Sequence, residues 1–267
     1  MNRLFKDQMQ RAVSLLHPPK RIVSLVPSQT ELLYDLGLEE EVLGITKFCL
    51  RPSHWFHSKK RVGGTKKLNL DAIDALQPDL IIGNKEENEK QQIEILEKKY
   101  SVWMSDVATF QDALRMIILI GELVDKKDAA KRIAAEIETR FANLPKASNL
   151  KRRAAYIIWR DPYMVAASGT FIDEMLRLSG FENIFHSKSR YPEISPTELA
   201  AAAPEVILLS SEPYPFQEKH KAEFKQLCPA AVIQCVDGEL FSWYGSRLIH
   251  SAAYFEQLQK DVHTAAI

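Results

Sequence analysis

The strongest constraint in this sequence is an alternation. Short β-branched or apolar runs take turns with segments whose apolar residues recur at helical spacing, and the pattern occurs twice, on either side of one long stretch without strand character. In the first round "RIVSLV" (Arg21 to Val26) reads as a strand that ends at Pro27. "QTELLYDLG" then carries Leu32, Leu33 and Leu36 on one helical face, with Ser28 and Glu31 spaced as in a capping box and Gly37 as a stop. "EVLGITKF" reads as a strand, "NLDAIDAL" as a helix, "PDLIIG" as a strand, "NEKQQIEILEKKY" as a helix and "SVWMSD" as a strand. Strands that alternate with helices across short loops form parallel sheets covered on both faces.

Between Thr109 and about Leu144 no strand-like run appears. Beyond Asp125, charges alternate with alanines, while Ile133, Ile137 and Phe141 recur every four residues. This spacing predicts a partly solvated helical strut, roughly thirty ångströms long if it runs about twenty residues. The alternation then resumes: "RRAAYIIW" (strand), "TFIDEMLRLSG" and "SPTELAAAA" (helices), "PEVILLS" (strand), "HKAEFKQL" (helix), "AAVIQCV" (strand), and a final helix opening near Gly245. "NLDAIDALQPDLIIG" from Asn69 aligns without a gap to "SPTELAAAAPEVILL" from Ser195, an internal echo that favours two similar halves. The expected fold is α/β: two Rossmann-like lobes with mainly parallel sheets, joined by a long rigid helix. The expected boundaries are 1–123 for the first lobe, 124–146 for the linking helix and 147–267 for the second lobe.

Composition narrows function. Lys plus Arg and Asp plus Glu both number 35, so there is no net field to attract a polyanion, and nucleic acid is disfavoured. No stretch approaches eighteen apolar residues, so no membrane insertion is expected. "MNRLFKDQMQRA" has no signal-like apolar core, which places the chain in the cytoplasm as written, or in the periplasm or on the cell surface if a leader has been removed. The odd count of cysteines (Cys49, Cys228, Cys235) fits reduced thiols.

In parallel sheets, ligands collect at loops on the carboxyl ends of the strands. Those loops are "PSQTE", "KFCLRP", "VGGTKKLN", "GNKEEN", "WRDPYMVAASGT", "HSKSRYPEIS", "SEPYPF" and "LFSWYGSR", and they are dense in rings and charges. Rings offer large apolar contact at low entropic cost, and Arg and Glu orient a polar rim, so a bulky amphiphilic ligand in a cleft between the lobes is expected. No Walker, dinucleotide, H-E-x-x-H or G-x-S-x-G motif is present, and no catalysis is expected. His54 and His57 in "HWFH" are spaced to share a metal on a helix but have no nearby third ligand, so a solvated loop is the default there and no metal site is expected.

"PPKRIVSLVPSQTELLYDLG", "RVGGTKKLNLDAIDALQPDLII", "FIDEMLRLSGFENIF" and "YPEISPTELAAAAPEVILL", in this order, resemble the substrate-binding proteins of cobalamin and iron-complex ABC importers, over about Lys20 to Ile249. The resemblance implies a monomeric, non-enzymatic receptor with no intrinsic cofactor, whose ligand is a corrinoid (cobalamin-like) or an iron chelate such as haem or a siderophore. It implies ligand contact at Phe48, Trp159 and Tyr191, and around Trp243, Tyr244 and Arg247. Glu86, Arg160 and Glu212 add charges that a purely apolar corrin site does not need. Docking on an ABC permease dimer is implied through Asp71 on the first lobe. The matching position on the second lobe is Thr197, with Glu198 adjacent. The resemblance extends to leaderless members with an intracellular setting, for which the alternative is an enzyme or cofactor-handling protein that uses the same cleft.

Overall fold

The computed structural model describes residues 2–145 and 151–265. The first strands are β1 (Asn2–Lys6) and β2 (Ala12–Leu16), an antiparallel pair that the alternation in the sequence did not include. Val13 and Leu15 alternate inward from β2, and this period of two is what makes a strand of "AVSLL". Then follow β3 (Ile22–Ser24), α1 (Pro27–Asp35), β4 (Val42–Ile45), α2 (Ser53–Ser58), β5 (Lys60–Arg61), α3 (Leu70–Leu76), β6 (Leu80–Asn84), α4 (Lys90–Glu97), β7 (Val102–Ser105), α5 (Phe110–Leu123) and α6 (Lys127–Ala142). The remainder comprises β8 (Arg152–Trp159), β9 (Tyr163–Val165), α7 (Phe171–Leu178), β10 (Phe181–Asn183), β11 (Glu193–Ile194), α8 (Pro196–Ala201), β12 (Val206–Ser210), α9 (Lys221–Leu227), β13 (Val232–Val236), α10 (Glu239–Ser242) and α11 (Leu248–Thr264).

The chain divides into two compact units. One holds the residues up to Val107, Gln111–Glu138 and Tyr244–Arg247; the other holds Ala108–Phe110, Thr139–Trp243 and the residues from Leu248. The first unit is built on a five-stranded, wholly parallel sheet of order β5-β4-β3-β6-β7. Ile22, Val23, Leu80, Ile81 and Ile82 are fully buried in its middle strands, as continuous apolar runs in a doubly covered sheet require. The second unit is built on the order β11-β9-β8-β12-β13, with β10 beside β8. Its pairs β8–β12, β12–β13 and β8–β10 are parallel, and β9 runs antiparallel to β8 and β11. The α/β class and the parallel cores therefore agree with the alternation in the sequence.

Asp125, at φ 60, stands between α5 and α6, and the backbone turns there. Gly121 permits the turn, because a Cβ on it would lie 2.2 Å from that of Ala130. Helix α6 alone spans about 24 Å at 1.5 Å per residue. The chain passes from the first unit to the second inside α6, after Glu138. The expected 146/147 boundary lies outside the described residues.

The internal echo is structural. Asn69 caps α3 by accepting from Ala72 N, and Ser195 caps α8 by accepting from Glu198 N. Eight residues on, Gln77 (φ 43) and Ala203 (φ 47) both take left-handed backbone, and each is followed by a proline. The repeat also shares a clamp that the alignment alone did not reveal. Arg21 donates to the carbonyls of Leu76 and Gln77, and its backbone N–H donates to Asp79. Arg153 donates to the carbonyls of Ala202 and Ala203, and its backbone N–H donates to Glu205. Each clamp ties the left-handed end of a helix to the start of a central strand.

Candidate functional site

In the first unit the loops at the carboxyl ends of the sheet are cross-tied by buried polar groups. Asn84, the last residue of β6, accepts from the N–H groups of Glu86 and Glu87 and donates to Ser105, which also receives the Gln29 amide at 2.5 Å. Asn88 donates to Thr65 O, and Gln92 bridges Lys66 O and Leu68 N. Together these bonds make one firm platform of the "VGGTKKLN" and "GNKEEN" loops.

Phe48 stands on that platform with 49% of its surface exposed. The Lys47 ammonium lies 5.0 Å from the ring centroid. Gly64 provides the seat, since a Cβ there would meet Phe48 Cε2 at 3.1 Å. Its neighbour Gly63 turns the loop at φ 95, where an added Cβ would strike Lys67 O.

Four residues from the far end of the chain complete this unit. The Tyr244 hydroxyl donates to Glu87 Oε1 at 2.6 Å, and Arg247 donates Nε to Glu31 Oε2 at 2.8 Å with a second bond from Nη2 to Oε1. Gly245 makes the approach possible, because a Cβ on it would lie 2.5 Å from Ser28 O. Burial raises the Glu31 carboxyl above the usual carboxylate range, and the Arg247 hydrogen bonds oppose that rise. Burial likewise pushes the Tyr244 phenol well up.

The expected Ser28/Glu31 capping box is not formed. Val26 is the N-cap of α1, without a side-chain bond, and Pro27 occupies the first turn. Glu31 is instead the largely buried partner of Arg247, with 15% of its side chain exposed, a role that nothing local in the sequence signalled. Arg247 itself precedes α11, which starts at Leu248, and so lies just outside the helix in which the sequence placed it.

Cys49 is buried beside the Thr30 and Thr46 hydroxyls, and burial pushes its thiol up to about 11. His54 and His57 lie on the short helix α2, not in a loop, and His54 faces Glu39 at 3.5 Å. Among the described residues no group of three His, Cys, Asp or Glu is arranged to hold a metal.

In the second unit β8 ends at Trp159, which is 38% exposed and edge-on to Tyr214 at 5.7 Å. Tyr214 continues into a buried aromatic group with Phe216, His220 and Phe224. Arg160 is exposed and donates to Glu223 at 2.9 Å, and Glu223 also accepts from the Tyr163 hydroxyl. Tyr191 is half-buried, with the Arg190 guanidinium 5.9 Å from its ring.

Trp243 is 6% exposed, and its indole N–H donates to Glu212 Oε1 at 3.1 Å. The same oxygen receives the Ser242 hydroxyl, and burial still raises the Glu212 carboxyl. Glu86 is half-buried in the first unit.

The structure therefore gathers Phe48, Glu86, Tyr244 and Arg247 in the first unit, and Trp159, Arg160, Tyr191, Glu212 and Trp243 in the second. Asp71 is exposed in the first turn of α3. Glu198 holds the equivalent turn of α8 and pairs with Lys188 at 2.7 Å, which lowers its carboxyl. No helix among the described residues is long and apolar enough to cross a membrane.

The chain is 28% identical over 201 residues to the vitamin B12-binding protein of Photorhabdus laumondii, covering 74% of this chain and 73% of that one. Its fold resembles that of the periplasmic vitamin B12 binding protein BtuF of Vibrio cholerae, with a TM-score of 0.76 at 22% identity over 92% of this chain and 98% of the other. It also resembles an ABC-type Fe3+-hydroxamate transport system protein from Saccharomonospora viridis, with a TM-score of 0.75 at 17% identity over 96% and 98%. At these identities the structural likenesses establish the fold. The periplasmic binding protein family model matches residues 22–232, well over half of the sequence, and the chain belongs to that family.

Proposed function

We propose that this protein is a substrate-binding protein for a bulky metal chelate, a corrinoid or an iron complex, and that it serves an ABC importer. Family membership supports a binding role over catalysis. The observation that carries the reading is the pair of exposed rings, Phe48 and Trp159, each at or just beyond the carboxyl end of a strand of its own sheet. Such rings cost surface free energy unless something covers them. In this reading Phe48, Trp159, Tyr191 and Arg160 touch ligand. Glu86, Glu212, Trp243, Tyr244 and Arg247 hold the loops in place through the bonds described above, and bear on ligand through what they position.

Docking on the permease is assigned to Asp71, whose carboxylate is exposed, and to Glu198, whose carboxylate must first exchange Lys188 for a permease cation.

Isothermal titration with cobalamin, haemin and a ferric hydroxamate tests the proposal. At least one should bind, and Phe48→Ala and Trp159→Ala should each weaken it at least about tenfold, the equivalent of about 1.4 kcal/mol. Binding of none of the three, or full affinity in both variants, refutes it.

A further inference from the structure

Arg160 stands in the turn that follows Trp159 at the end of β8, and the next residue, Asp161, takes left-handed backbone at φ 63. A long side chain on such a turn has many rotamers to lose when it is ordered. Here it is held before any ligand arrives. Arg160 Nε donates to Glu223 Oε2 at 2.9 Å, and the other oxygen of the same carboxylate, Oε1, accepts from the Tyr163 hydroxyl. Two donors on two oxygens fix the plane of the carboxylate, and a carboxylate of fixed plane fixes the direction of the guanidinium fork. Tyr214 and Glu223, in that order, raise the Arg160 guanidinium above its usual range. Tyr214 is also the ring to which Trp159 stands edge-on.

Glu223 lies in the first turn of α9, 63 residues along the chain from Arg160, and its side chain is 29% exposed against 43% for that of Arg160. With Nε turned to Glu223, the Nη edge of the guanidinium is the part left to meet a ligand. We infer that Glu223 is a positioning residue of the site at the end of β8: it touches no ligand itself, and it fixes Arg160 so that the Nη edge meets oxygen acceptors on the rim of a chelate without first having to be ordered. An arginine already held in place loses less freedom on binding, and affinity rises by that difference. The inference rests on the receptor reading given above, in which Arg160 touches ligand, and adds to it the residue that directs Arg160.

The first measurement needs no ligand. In nitrogen-15 spectra of the arginine side chains, the Arg160 Nε–H, identified by its loss in Arg160→Lys, should exchange with water at least about tenfold faster in Glu223→Ala than in the native protein, since a bonded N–H exchanges only when its bond opens. Unchanged exchange overturns the inference, whichever ligand is bound. The second is a cycle of titrations with cobalamin, haemin and a ferric hydroxamate. For each probe that binds, Glu223→Ala should weaken affinity about threefold to tenfold, the scale of one ordered side chain, where Arg160 is present, and less than about twofold in an Arg160→Met background. Glu223→Gln, which keeps the shape and lacks the charge, should fall between Glu223→Ala and the native protein. A loss of the same size in both backgrounds makes Glu223 a merely structural residue and overturns the inference, as does full affinity in Glu223→Ala or in Arg160→Met. Those outcomes leave the receptor reading standing, because Phe48→Ala and Trp159→Ala judge it separately. Binding of none of the three probes overturns both.

Discussion

Arg247→Met removes the cation from a buried pair while keeping most of the apolar length of the side chain. Arg247 and Glu31 retain only 10% and 15% of their side-chain exposure, so deletion of the guanidinium strands a carboxylate in a poorly solvated site. Breaking such a pair from one side costs about 3–5 kcal/mol, and the residual solvent contact puts this case at about 3 kcal/mol. The cost depends on pH, and its sign follows from burial. Burial already raises the Glu31 carboxyl, with Arg247 pulling it back. Without Arg247 only the smaller pull of Arg51 opposes the upward shift. A carboxyl with a higher pKa folded than unfolded takes up protons on folding, so the folded variant regains stability as pH falls through that raised value. Urea unfolding should therefore show the full deficit at about pH 8 and a much smaller one at about pH 5. Glu31→Gln combined with Arg247→Met should recover more than half of the loss at the higher pH, as coupled sites do. Equal deficits at both pH values, together with an additive double variant, would refute the assignment of this pair as buried and mutually compensating.

Gly245→Ala places a methyl group 2.5 Å from Ser28 O, a backbone atom that cannot swing aside, and should lower unfolding stability by about 1–3 kcal/mol in the same assay. Cys49, buried and with its thiol pushed up to about 11, should resist iodoacetamide in the native protein while half-buried Cys235 is alkylated first, as peptide mapping would show. Early labelling of Cys49 would contradict its burial. Asp71→Ala should reduce permease-stimulated transport in reconstituted vesicles without changing ligand affinity, whereas Lys188→Ala should free Glu198 and leave transport unchanged or improved.

The extent to which the fold was legible follows from where its determinants lie. The strands β3, β4, β6, β7, β8, β12 and β13 were readable because each carries a short run of mostly apolar, often β-branched residues closed by a turn signal, a pattern complete within a few residues. The short pieces β9, β10 and β11 were not, since two or three residues carry too little periodicity. The left-handed backbone of Asp125, which sets α6 off from α5, was likewise not signalled, because neither a glycine nor a proline stands at the turn itself.

The sequence by itself determined the alternation of the main strands and helices, the repeated helix–proline–strand unit, and the loops in which rings and charges gather. All of these are set by neighbours close along the chain. Only the tertiary structure decided which charges meet. Glu31 and Arg247 are 216 residues apart, and Glu87 and Tyr244 are 157 apart, so no local pattern could pair them. It also decided that Phe48 is left uncovered on its glycine seat while Trp243 is folded away against Glu212. Burial and charge pairing are properties of packed surfaces, and they acquire values only when distant segments come to share the same low-dielectric surroundings.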